Sequence, residues 1–184
     1  MKRTPARRAP DAPRPITPAD PATLSPLARE LGKLRPFEHA EVEVHLSLLR
    51  TTTRLQGDVE RLFKQHGLSE STYNILRILR HAPEGRSCSE VGERLVARVP
   101  DVTRLLDGLE RRGLIERHRS REDRRVVRVR ITARALTVLE ELDAPLLALH
   151  RQHFAHMQPS ELSELIRLLD RVRASPDRPP APPA

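Results

Sequence analysis

The sequence predicts a mainly α-helical fold that carries a small two-stranded β ribbon. Apolar residues recur at spacings of three and four over most of positions 38–172, which is typical of amphipathic helices packed on a shared core. Between positions 114 and 131 the pattern changes, and RVVRVRI alternates apolar and charged side chains as a half-buried strand does. A chain of 184 residues has room for one such domain with tails.

The charge of the chain limits its partners. A formal net charge of +8 makes nucleic acid the leading partner and an anionic membrane surface the second candidate. Thirty of the 33 basic residues are arginine, whose planar guanidinium can bond phosphate or guanine bidentately. Aromatic residues make up 2% of the chain, so the stacking platforms of single-strand binders are missing. The chain contains no run of 18 apolar residues, so no membrane span is predicted. Its single cysteine fits a reducing cytoplasm.

Proline marks the two ends of the chain. Thirteen of the 17 prolines lie in the end segments, eight within residues 1–36 and five within residues 174–184. Such segments bury too little apolar surface to fold, so we predict a disordered Pro/Arg-rich arm and a disordered Pro-rich tail. The arm is either an inert linker or, because it is basic, a source of nonspecific affinity for DNA.

Capping residues predict where the first helices begin and end. Residues 38–66 form one long amphipathic helix, and Gly67 suits its C-terminal end. Ser69 can cap a second helix, which ends near residues 81–85. These two helices precede the most strongly patterned part of the chain.

Two shorter helices follow. Ser87 and Glu90 form a capping box for the third helix. Pro100 suits the first turn of the fourth helix, and Gly113 stops it. The predicted apolar stripe of the fourth helix is Val102, Leu105, Leu106 and Leu109.

The ribbon and the last two helices complete the pattern. Residues 114–119 and 125–131 are the predicted strands, and the apolar side of the second strand is expected to hold the ribbon against the core. Thr132 can cap a long helix that Pro145 kinks. A further capped start at Gln158 opens the last helix.

This order of elements predicts a winged helix-turn-helix. The third and fourth helices are short, amphipathic and separated by a few residues, and the ribbon after them is the wing. A helix fits the major groove, where its N-terminal residues reach base edges. Residues 117–130 hold seven arginines, and an arginine-tipped wing can enter the adjacent minor groove, where negative potential is concentrated.

Residues 98–132 resemble the recognition helix and wing of the MarR family of transcriptional regulators. The most specific part is RLLDGLERRGLIER, followed by Asp-Arg-Arg at 123–125 and a strand that closes on Ile-Thr. LSESTYNILRIL, residues 68–79, resembles the helix before it. The resemblance extends over residues 38–172, which is most of the chain.

The resemblance implies a homodimer that represses transcription from a pseudo-palindromic operator in double-stranded DNA. Such repressors are released by a small, often aromatic or phenolic effector, by oxidation or by a metal. The MarR-like domain would cover residues 37–173, with a DNA-binding lobe at about 68–132 and dimerisation helices at about 38–66 and 133–173. The chain carries no catalytic motif, so we predict no enzyme activity, no cofactor and no metal.

By the same resemblance, one group of residues at the start of the recognition helix faces DNA. The group is Arg98, Pro100, Asp101, Thr103 and Arg104. For the aspartate and the threonine, the chemistry of a helix start is an equal alternative. The wing residues assigned to DNA are Arg119, Arg121 and Arg124, with Arg124 the first candidate for the minor groove. Asp123 and Arg125 would brace the wing by charge pairing.

Two further groups and two other functions stay as alternatives. Cys88 at a helix start is either a small half-buried residue or a redox-sensitive thiol. His150, His153 and His156 are either surface or interface residues, or metal ligands taken two at a time. The chain could instead be a nonspecific architectural DNA binder or a winged-helix module for protein–protein interaction. An architectural binder would show a salt slope but little preference among duplexes.

Overall fold

The computed structural model of the protein describes residues 20–119 and 127–174. The predicted tail after residue 174, most of the predicted arm and the tip of the wing lie outside these ranges. The described residues form two compact units, which divide the chain between Arg54 and Leu55.

The first unit contains an unexpected short helix. A 3-10 turn at Pro21–Thr23 precedes α1 (Pro26–Glu30), which buries Ala28. The prediction of disorder over residues 1–36 is wrong for this helix. The reason is local, because the Ser25 hydroxyl accepts a hydrogen bond from the Ala28 amide at 3.2 Å and a proline follows the cap.

Long and short helices follow in the predicted order. They are α2 (Ala40–Gln65), whose first part lies in the first unit, α3 (Glu70–Arg80), α4 (Cys88–Glu93) and α5 (Val102–Arg111). The predicted caps of α3 and α4 are confirmed. Ser69 forms a capping box with Thr72, and Ser87 forms one with Glu90. Each box satisfies backbone amides that the first turn of a helix leaves without partners.

The start of α5 differs from the prediction. Asp101 is the N-cap, and its carboxylate accepts a hydrogen bond from the Arg104 amide at 2.9 Å. Pro100 therefore precedes the helix instead of occupying its first turn. An aspartate at the N-cap satisfies a free amide of the first turn, which a proline side chain cannot do. The stop at Gly113 is confirmed, and this glycine has φ +66°.

The two-stranded wing is confirmed. Strands β1 (Ile115–Arg119) and β2 (Val127–Ile131) pair antiparallel. Val129 is buried, but Val127 at the outer end of β2 is exposed, so only part of the apolar side reaches the core. At its base, the Arg86 backbone exchanges hydrogen bonds of 3.0 and 2.7 Å with that of Val129.

Two helices close the second unit. These are α6 (Ala133–His153), capped by the Thr132 hydroxyl as predicted, and α7 (Pro159–Arg173). The largest fully buried side chains of this unit come from α2, α3, α4, α5, α6 and β2, whereas α7 buries none. In the described ranges, no helix is long and apolar enough to cross a membrane.

Candidate nucleic-acid interface

Helix α5 has one buried and one exposed face. Leu106 and Leu109 are buried in the core, with 1% or less of their surface exposed. Thr103, Arg104 and Arg111 are exposed. The helix therefore packs on the rest of its unit through its apolar stripe and leaves a polar face uncovered.

The residues predicted to face DNA lie together on this exposed side and in the turn before it. Arg98, Pro100 and Asp101 are exposed, as are the two predicted positions inside the helix. Asp101 has the helix-start role that the sequence left as an alternative, because its carboxylate holds the Arg104 amide. This bond also fixes the first turn from which the Arg104 side chain projects.

The turn between α4 and α5 contains an apolar residue that sequence reasoning missed. Val96 is 73% exposed. Together with Leu95 and Arg98 it lines an open pocket with a volume of about 800 Å³. An exposed branched residue beside a basic one suits contact with a thymine methyl group or a sugar. The signal in the sequence was an apolar branched residue two positions before Arg98, in a turn without helical periodicity.

Thr103 lies where the two helices of the motif meet. Its hydroxyl is 3.6 Å from the sulfur of Cys88, the first residue of α4, and Cys88 is half-buried. The geometry therefore places the cysteine beside the recognition helix. Its redox role stays a prediction.

At the wing, the structure describes the base and one of the predicted residues. Arg119 ends β1 and is exposed. The other predicted wing residues, Arg121, Asp123, Arg124 and Arg125, lie outside the described residues.

Two arginines of β2 bind the loop before α4. Arg128 donates to the Gly85 carbonyl at 3.1 Å, and Arg130 pairs with Glu84 at 3.0 Å. The alternating pattern had placed both on the side of the strand away from the core, but it gave no sign of these partners.

An ion-pair cluster joins the wing to the recognition helix. The Arg117 guanidinium is 2.7 Å from Oδ1 of Asp107 and 2.8 Å from Oε2 of Glu110, and both carboxylates belong to α5. The hydrogen bond with Asp107 is the main cause that raises the pKa of Arg117 above its usual value. Sequence reasoning did not single out this residue. The sequence signal for Arg117 was its position two residues after Ile115, a buried residue of the same strand, which puts a charge on the face that turns to the core.

One histidine of α6 has a carboxylate partner. Nε2 of His153 lies 3.0 Å from Oδ2 of Asp58, and its side chain is 9% exposed. The ring of His150 meets that of His153 edge-on at 6.5 Å. Across the two described ranges, no group of three or more His, Cys, Asp or Glu side chains could hold a metal ion.

Comparison with known proteins identifies the family. A sequence model of the MarR family matches residues 66–126. The repressor YetL of Bacillus subtilis is 32% identical over 114 residues, which cover 56% of this chain and 68% of YetL. The chain belongs to the MarR family. PapX, a transcriptional regulator of Escherichia coli, is 31% identical over 97 residues, and this MarR-family chain spans 58% of it.

Solved structures agree with this assignment. A MarR transcription factor from Planctomyces limnophilus is 41% identical, with a TM-score of 0.56, and the match covers 73% of this MarR-family chain and 98% of that one. BpsR of Bordetella bronchiseptica, whose DNA binding is regulated by 6-hydroxynicotinic acid, shares the fold at 21% identity and a TM-score of 0.66. That match covers 77% of this chain and 99% of BpsR. The protein is thus a member of a family of winged helix-turn-helix transcriptional regulators and not an enzyme.

Proposed function

We propose that this protein is a sequence-specific repressor that binds a pseudo-palindromic operator as a homodimer and is released by a small organic effector. The observation that carries the proposal is the exposed polar face of α5. A helix whose apolar side is buried and whose N-terminal side chains are free can lie in the major groove without losing its packing.

In this proposal, residues 68–132 form the DNA-binding lobe. Arg98, Thr103 and Arg104 read base edges, because arginine can bond guanine bidentately and threonine can contact a thymine methyl. The wing residues Arg119, Arg121 and Arg124 contact DNA, and one of them enters the minor groove, with Arg124 the first candidate and Arg121 the second. A narrow minor groove attracts arginine through its enhanced negative potential.

The homodimer is supported by apolar surface that a single chain leaves open. On α2 and α7, large apolar side chains stand exposed at helical spacings: Val42, Val44, Leu48, Leu49, Leu165, Ile166, Leu168 and Val172. On each of these two helices, taken by itself, so many exposed large apolar side chains mark an association site. A two-fold dimer would present two recognition helices to two half-sites related by the same symmetry.

The effector is proposed by analogy of fold. BpsR has the same architecture, and 6-hydroxynicotinic acid, a hydroxylated aromatic acid, regulates its DNA binding. An effector acts in such a regulator by binding the DNA-competent and the DNA-incompetent states with different affinities. We therefore propose an aromatic or phenolic compound as the first class to screen.

Selection from a random duplex pool at moderate salt, with sequencing of the bound fraction, tests the proposal. We expect a pseudo-palindrome whose half-sites lie about one helical turn apart, roughly 10 bp. Binding without enrichment would instead establish an architectural DNA binder. No binding would favour the protein–protein module. The enriched duplex then serves to screen aromatic acids and phenols for compounds that release the protein.

A further inference from the structure

The ion-pair cluster of Arg117 has a location that needs an explanation. Arg117 pairs with the buried Val129 across the wing. It lies two positions after the buried Ile115 on β1 and therefore on the same face of that strand. The repeat of two residues along a strand places its side chain toward the core, where an apolar residue would fit the pattern. Its side chain is 28% exposed, so its charge is substantially removed from water and requires partners.

Both partners lie on the recognition helix. Asp107 and Glu110 are three positions apart in α5 and therefore neighbours on one side of it. One guanidinium contacts both, with a separate Nη atom on each carboxylate. This fork fixes the distance between β1 and α5 and the rotation of α5 about its own axis, because two contacts at different heights resist both movements.

The charges of α5 give the cluster a second consequence. Within Val102–Arg111 the charged residues are Arg104, Asp107, Glu110 and Arg111, so the helix alone sums to zero. Two carboxylates on a helix that approaches phosphates are repelled by them. The guanidinium lies within 3 Å of each carboxylate and compensates part of their charge, which leaves the two arginines of the helix dominant.

We infer that Arg117 is a positioning residue for DNA recognition: it orients the recognition helix through Asp107 and Glu110 and screens their charge, without contacting DNA itself. The inference rests on the proposed function, since it assumes that α5 meets the duplex. It assigns to the acidic residues of α5 the role of anchoring points for the wing.

A mutant cycle on the full chain tests the inference with the enriched duplex. We expect Arg117→Gln to weaken binding by about tenfold, comparable to the loss of one base contact. In an Asp107→Asn, Glu110→Gln background the same substitution should change the affinity less than about threefold, because no carboxylates remain to be held or screened. A tenfold loss in both backgrounds would overturn the inference and make Arg117 a direct DNA contact.

The salt dependence of binding separates positioning from contact independently. A residue that touches no phosphate leaves the slope of log affinity against log salt unchanged, whereas a lost phosphate contact reduces it by about one. Because Arg117→Gln also uncovers the charge of Asp107 and Glu110, we expect the slope to fall by clearly less than one, and not to fall in the Asp107→Asn, Glu110→Gln background. A reduction by one in both backgrounds would refute the inference.

Two further variants keep the test interpretable. Arg117→Lys retains the charge but not the fork, and should bind with intermediate affinity even where Arg117→Gln does not fold. Arg80→Gln is the matched control, because Arg80 likewise donates two hydrogen bonds to a carboxylate, that of Asp143, but belongs to α3. It should leave binding unchanged. If Arg117→Gln binds the duplex with wild-type affinity, this inference alone is refuted. If the wild-type protein binds no duplex, the proposed function is refuted together with it.

Discussion

Gly85 is the position at which the fold should tolerate a side chain least. It lies in the loop before α4 with φ +77°, a conformation that other residues adopt at a penalty of about 1–2 kcal/mol. A Cβ at this position would lie 2.8 Å from the Val129 carbonyl oxygen and 2.9 Å from Cγ of Arg130. The first of these atoms is backbone in β2, so the wing must shift, which adds about 1–3 kcal/mol. We therefore expect Gly85→Ala to lower the free energy of unfolding by about 2–5 kcal/mol.

Two glycine controls separate the parts of this estimate. Gly113 has a similar φ of +66°, but a Cβ there would meet only Arg134 Nη1, at 4.0 Å. Gly113→Ala should therefore lower stability by the backbone penalty alone, about 1–2 kcal/mol. Gly108 lies inside α5 with open space around it, and Gly108→Ala should raise stability by about 1 kcal/mol.

Urea unfolding followed by circular dichroism at one protein concentration measures all three variants. The expected order of midpoints is Gly108→Ala, wild type, Gly113→Ala and Gly85→Ala, from highest to lowest. Equal midpoints for the Gly85 and Gly113 variants would show that the close approach of the loop to β2 adds nothing. A wild-type midpoint for Gly85→Ala would refute the whole estimate.

Three other predictions concern the surface. Arg104→Ala should weaken operator binding by about 1–3 kcal/mol and relax the preference at one base pair, whereas an equal loss on all sequences in a duplex competition assay would mark a phosphate contact. The Arg80 guanidinium lowers the pKa of Asp143. This ion pair therefore stabilises the fold at pH values above the usual aspartate pKa, and its contribution is lost as the pH falls through the lowered pKa of Asp143. The variant Asp143→Asn should make the urea midpoint depend less on pH below about pH 4. Ile166→Glu should convert the dimer to a monomer in sedimentation while the α-helical circular dichroism of the winged lobe persists; an unchanged sedimentation coefficient would contradict the proposed dimer surface on α7.

Local rules made most of the helix boundaries predictable from the sequence. The caps at Ser69, Ser87 and Thr132 depend on residues at most three positions away, so a single sequence reveals them. The α5 boundary was wrong because Pro100 and Asp101 both suit a helix start, and the choice depends on which free amide receives a side-chain partner. The helix Pro26–Glu30 was missed because proline content outweighed its cap.

The candidate site was predictable as a surface but not as a set of contacts. Helical spacing identified which side of α5 is free, and with it Arg104, whereas Arg98 in the turn before α5 came from the resemblance to the MarR family. The partners of Arg117 could not be predicted, because they depend on where β1 crosses α5, which no local pattern encodes. For the same reason the pairing of His153 with Asp58, 95 positions apart, had no sequence signal beyond the presence of both residues.

Because α7 has no buried residue, the resistance of the subunit to proteolysis should depend on the concentration of the protein. A helix of 15 residues in which only Leu162 and Leu169 are even partly buried is marginally stable in water, so in a lone subunit it would open readily. Opened segments are where proteases cut. In the proposed homodimer, association would close this helix by mass action, so a subunit without a partner would be degraded first. The level of the regulator would therefore fall more steeply than its rate of synthesis.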